Sequence, residues 1–124
     1  MGADKSVTIT IGRGTTDGPL PDISWELFRE EIRGRLAADG FEVVVDSGGT
    51  GTWVGADGIV TTEDNHVFVA LAWDPEDVDL EAKMVALRAW LGVLAYGYRQ
   101  EAIALGHGVS ELVMATPSGS GSRA

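Results

Sequence analysis

Residues 66–73 read H-V-F-V-A-L-A-W, and the breaker Asp74-Pro75 follows at once. An apolar run this short, rich in β-branched and aromatic residues and closed by a turn, is a strand buried on both faces. It belongs in the middle of a sheet. Downstream, Leu80, Met84, Leu87, Leu91, Leu94 and Tyr98 recur every three or four residues. That is the stripe of a long helix, capped by Asp77 or Asp79, ended near Gly97, and widened by Trp90 and Val93. Beyond it, Gln100–Leu105 and Glu111–Ala115 read as two closing strands joined at Gly106-His107-Gly108.

Upstream, residues 59–62 suggest a short strand, and residues 47–58 hold five glycines around Thr52-Trp53-Val54. This pattern fits a twisted or bulged strand ending in an Ala56-Asp57-Gly58 turn. Phe41–Asp46 is another strand. Before it, Trp25, Phe28, Ile32 and Leu36 mark a helix over about residues 24–38, with Ser24 as N-cap and Gly40 just past its end. Ser6–Ile11 alternates Val7, Ile9 and Ile11 with Ser6, Thr8 and Thr10, so it is a strand with one buried face.

The resulting order is β-α-β-β-α-β plus an extra C-terminal strand. It implies an α+β, ferredoxin-like sandwich with two helices on one face of a mainly antiparallel sheet. One domain spans residues 6–116, between a flexible stretch at 1–5 and a disordered tail at 117–124. The second sheet face lacks a cover of its own, so a homodimer formed through that face is expected.

Composition narrows the function. The chain has 124 residues, 19 acidic against 9 basic side chains, a net charge of −10, and no cysteine. Thiolate metal sites, disulfides and a cysteine nucleophile are excluded. The negative charge argues against direct nucleic-acid binding, which needs a basic stripe. No apolar run is long enough to span a membrane, and residues 1–6 lack a signal-peptide core, so a cytoplasmic location is expected, the host's if the gene is a phage's. The glycine-rich segment lacks the elements of a phosphate loop. The acids between Asp74 and Glu81 miss the calcium-loop positions. With two histidines on separate elements, neither a metal nor a cofactor is expected.

A small set of residues remains that could carry chemistry. Glu63 precedes the central strand, and Gln100-Glu101 follows the second helix. Beside Trp53 and Tyr98 they could line a ligand pocket. Glu101, or His66 at the head of the central strand, is the candidate base, since a half-buried carboxyl or an imidazole can move protons near neutrality.

The segments Asp17-Gly18-Pro19, Ser24-Trp25-x-x-Phe28-x-x-Glu31, Asp39-Gly40-Phe41, Gly51-Thr52-Trp53, Gly58-Ile59-Val60, Glu63 and Tyr98-Arg99-Gln100-Glu101-Ala102 together resemble a bacterial domain-of-unknown-function family. Its pattern runs D-G-P, W-x-x-F, G-Q-W and Q-E-[AS]-V. Here Thr52 replaces the glutamine of G-Q-W. The resemblance spans about residues 7–105 and implies the ferredoxin-like fold, with Trp53, Glu63, Gln100 and Glu101 as a shared site.

With no complete catalytic motif, the expected function is a non-enzymatic module, homodimeric, binding a protein partner or small ligand. The alternative is a small dimeric α+β-barrel enzyme for proton transfer or isomerisation, with Glu101 or His66 as base. A second alternative, prompted by the charge, is an acidic phage-encoded inhibitor of a DNA-binding protein.

Overall fold

The computed structural model describes residues 4–72 and 79–110; within that range, the side chains of Asp4, Trp53, Val109 and Ser110 are not described. The elements run β1 (Asp4–Gly12), β2 (Gly14–Thr15), β3 (Gly18–Pro19), α1 (Asp22–Ala38), β4 (Glu42–Val54), β5 (Val60–Ala72), α2 (Leu80–Gly97) and β6 (Ala104–Ser110). The main sheet has the order β4-β5-β1-β6, and every neighbouring pair is antiparallel. Setting aside the two-residue strands β2 and β3, this is the expected ferredoxin-like α+β arrangement.

Alternation sets which residues are buried. Val7, Ile9 and Ile11 of β1, and Phe68, Ala70 and Ala72 of β5, join Trp25, Phe28, Ile32 and Leu36 of α1 in one core with Met84, Leu87, Leu91 and Leu94 of α2. Ser6, Thr8 and Thr10 point the other way and are half-buried, as are Val67, Val69 and Leu71. β5 is therefore central, but only its helix-facing side is fully buried. Its apolar run reflects a Val/Leu set on the open face. Val93, expected in the core, is 74% exposed, because the α2 stripe is narrower than its composition suggests.

Four expected boundaries are corrected. Asp4 and Lys5 belong to β1, where they pair with Ser110 and Val109. Helix α1 starts at Asp22 after Pro21, so Ser24 is not its cap. The segment read as a bulged strand and a separate short strand is one hairpin of two 13-residue strands, with its bulge between Val43 and Val45. Its tip is the expected turn, with Gly58 at φ +80° and the Asp57 carboxylate accepting from the Ile59 N–H at 2.9 Å. Finally, Gly106-His107-Gly108 is no turn. It lies inside β6, opposite Thr8, Val7 and Ser6. Residues 100–103 are not strand, and the strand expected at 111–115 lies outside the described residues.

Candidate functional site

β5 extends past the end of β1, and the register there puts small residues beside large polar ones. Gly12 pairs with Asn65, Gly49 with Asn65, and Gly51 with Glu63. A Cβ at Gly12 or Gly14 would collide with the Glu63 carboxylate, and one at Gly51 with the Asn65 amide. The glycines are there because these two side chains lie across the backbone. With its amide turned so that the nitrogen faces the Gly49 carbonyl, Asn65 donates to that carbonyl and accepts from the Gly51 N–H, both at 3.3 Å.

Glu63 is half-buried, and its Oε2 accepts the Gly14 N–H at 2.7 Å. Arg13, between the two glycines, anchors the same loop from the other side. Its guanidinium donates to the Leu20 carbonyl at 2.7 Å and pairs with Asp22 at 2.5 Å and Asp64 at 3.4 Å. The side chain of Gln100 donates to the Gly14 carbonyl at 3.2 Å and to the Tyr98 carbonyl at 3.4 Å.

These pieces border a cleft of about 550 Å³. Thr10, Gly12, Glu63 and Asn65 form its floor, Thr15 and Thr16 one wall, Gly51, Thr52 and Thr61 another, and the stretch from Arg99 to Ala104 a third. That volume suits a small organic ligand. The hydroxyl-rich walls offer hydrogen bonds, and the floor offers one carboxylate. Among the described residues no cationic side chain forms an ion pair with Glu63, and no group of three or more His, Asp or Glu is placed to hold a metal ion.

The residues singled out in sequence separate into two groups. Glu63, Gln100 and Glu101 all border this cleft, with Glu101 exposed at its mouth. Tyr98 does not. Its ring stacks on Phe28 with centroids 4.4 Å apart, and its hydroxyl donates to Glu31. Burial, then that carboxylate, push the phenol up to about 12. Trp53 pairs with Thr61 on the arm of the hairpin; its side chain is not described.

His66 is also absent from the cleft. It faces α1, buried, with Nε2 2.6 Å from Asp46 Oδ1. Arg33 grips the same carboxylate with two nitrogens and also bonds Glu30 at 2.9 Å. The Arg33 hydrogen bond, supported by His66, holds Asp46 down to about 2 despite partial burial. His66 thus joins a helix-to-sheet tie and shares no point with Glu101, so the expectation of a His66 base is withdrawn.

Sequence alone did not single out Gly12, Gly14 or Asn65. The available signal was the Gly12-Arg13-Gly14 run directly after a strand, which reads as loop punctuation until the register sets it over Glu63.

No family model matches the chain, and no curated protein matches it. Among the solved structures that share its fold are two of a phage enzyme. One is a phage SAM lyase in complex with S-methyl-5'-thioadenosine, with a TM-score of 0.64, 17% identity, and coverage of 96% of this chain and 94% of that one. The other is a phage SAM lyase in the apo state, with a TM-score of 0.63, 18% identity, and coverage of 88% and 82%. At this identity the likeness speaks for the fold. It goes against the expectation of a non-enzymatic module, since both of these fold relatives are enzymes. Asp17, Asp22, Asp39 and Asp46 are each paired with an arginine.

Among the described residues, no helix is long and apolar enough to cross a membrane.

Proposed function

We propose that the chain is an enzyme that cleaves S-adenosylmethionine or a close sulfonium relative without water. The carrying observation is Glu63, a half-buried carboxylate set in a 550 Å³ cleft, held by a backbone N–H and by no cationic side chain among the described residues. Glu63 has no ion-pair partner among the described residues, the Arg99 guanidinium on the cleft wall being paired with Asp17, and a sulfonium ion supplies one. Both fold relatives are SAM lyases, one of them in complex with S-methyl-5'-thioadenosine, and this supports the same class.

The chemistry follows from charge. The bond from the sulfonium sulfur to the γ-carbon of the methionyl group breaks, and its electron pair goes to sulfur, leaving a neutral thioether. The γ-carbon takes its new electron pair from within the substrate. Either the substrate's own carboxylate oxygen bonds to it and closes a lactone, or the β-carbon loses a proton and an alkene forms. In the second case Glu63 is the base. Sulfonium charge disappears on the way to the transition state, so attraction to Glu63 alone favours binding over rate. Rate then comes from folding the substrate into a reactive conformer.

The test is incubation with SAM, followed by mass spectrometry of both fragments. S-methyl-5'-thioadenosine together with a lactone or an unsaturated amino acid supports the reading. Recovery of intact SAM, from protein whose folding has been verified, removes it. The cytoplasm is the compartment proposed for this activity. A second copy is proposed to cover the open sheet face, where Val67, Val69 and Leu71 are only half-buried. Sedimentation of a monomer at micromolar concentration contradicts that second point alone.

A further inference from the structure

Both helices end in the same hydrogen-bonded turn. After α1, the Gly40 N–H donates to the Ala37 carbonyl and the Phe41 N–H to the Leu36 carbonyl. After α2, the Arg99 N–H donates to the Tyr96 carbonyl and the Gln100 N–H to the Ala95 carbonyl. This is the Schellman pattern, whose penultimate position needs a left-handed backbone and favours glycine. Gly40 obeys, at φ +84°. Arg99 does not. It holds φ +55°, and among the described residues it is the single non-glycine with positive φ. A side chain in that region is strained, and strain persists where something else requires it.

The same turn carries two contacts to the small β2–β3 hairpin. The Arg99 guanidinium pairs with Asp17 at 2.7 Å, on the turn between β2 and β3. The next residue, Gln100, donates to the Gly14 carbonyl at the start of that turn. The α2 end thus grips the small hairpin at both of its ends. Gly14 is in turn the residue whose N–H holds Glu63.

Resting on the reading of Glu63 as the substrate-facing carboxylate, we propose that Gln100 is a positioning residue: by holding the Gly14 carbonyl, it fixes the Gly14 N–H and so the Glu63 carboxylate in the cleft. Arg99 sets the turn that aims Gln100. Neither residue needs to touch substrate for this.

The test begins on substrate-free protein, where the SAM reading plays no part. Amide hydrogen exchange of Gly14 is measured by NMR in the parent, in Gln100→Met, which keeps length but loses the donor, and in the isosteric Gln100→Glu, ionised at pH 7. Both variants are expected to speed Gly14 exchange by about 10-fold or more, with the amides of Phe28–Leu36 unchanged. SAM turnover is then compared. The expected effect is a fall in kcat/KM of about 10-fold, carried by KM where Glu63 only pairs with the sulfonium and by kcat where it is the base. Gly14 exchange within about 2-fold of the parent in either folded variant overturns the proposal, whatever the activity. If SAM is not cleaved at all, faster Gly14 exchange still supports the clamp on Glu63, and only the SAM reading falls.

Discussion

Asp46 and Glu63 sit on the two strands of one hairpin and have opposite fates. Asp46 meets Arg33 and His66 on the helix side, and every charge there is answered within the protein. Glu63 lies on the open side, with one backbone N–H and a cleft in front of it. The first arrangement is complete and ties α1 to the sheet. The second leaves Glu63 without an ion-pair partner among the described residues. An acidic residue therefore points to function through what fails to neutralise it, not through its charge.

The contrast breaks most sharply at Glu63→Gln. This variant keeps shape and the Gly14 contact but removes the charge. SAM cleavage should fall by at least about 100-fold in kcat/KM, while the urea midpoint barely moves. Retained turnover would leave Glu63 no different in kind from Asp46.

Gly14→Ala attacks the same carboxylate sterically. Its Cβ overlaps Glu63, so the carboxylate must shift, and a loss of activity of roughly 10-fold or more with about 1–3 kcal/mol of stability is expected. Activity and denaturant midpoint measured together check this.

Asp46→Asn is the mirror experiment. It leaves Arg33 and His66 with a neutral partner beside a buried ring, and about 1–3 kcal/mol of stability should go with turnover nearly intact. A turnover loss as large as that of Glu63→Gln would erase the distinction between the two sites.

The smallest effect is in pH. Asp46 titrates near 2 in the folded chain against 3.8 unfolded, a lowered value. Its contribution is therefore fully present above about pH 4 and is lost as pH falls toward 2. The side chain is 28% exposed, so screening leaves about 1–2 kcal/mol. Urea denaturation at pH 5 and at pH 2.5 should show this slope in the parent and less of it in Asp46→Asn.

Much of the fold was legible because its signals are local. The alternation of Val7, Ile9 and Ile11 and the stripe of Trp25, Phe28, Ile32 and Leu36 declare buried faces through spacing alone. The cleft was legible only in part. Glu63, Gln100 and Glu101 stood out as polar residues at element ends, and they converge. Gly12, Gly14 and Asn65 did not, because their role depends on a register linking residues about fifty positions apart. His66 was misplaced for a related reason. The pattern of residues 66–73 tells that the strand is buried but not which face carries the ligand. Tyr98 continued the α2 stripe in sequence, and in space it follows that stripe into the core against Phe28 instead of turning toward the cleft.

Glu63 is proposed to receive a sulfonium cation, which is then cleaved. The most direct measurement is mass spectrometry of SAM incubated with the purified chain and with Glu63→Gln. At sub-saturating SAM, S-methyl-5'-thioadenosine is expected to accumulate with the parent chain and at least about 100-fold more slowly with the variant. Intact SAM with both folded proteins, or equal rates from both, would contradict it.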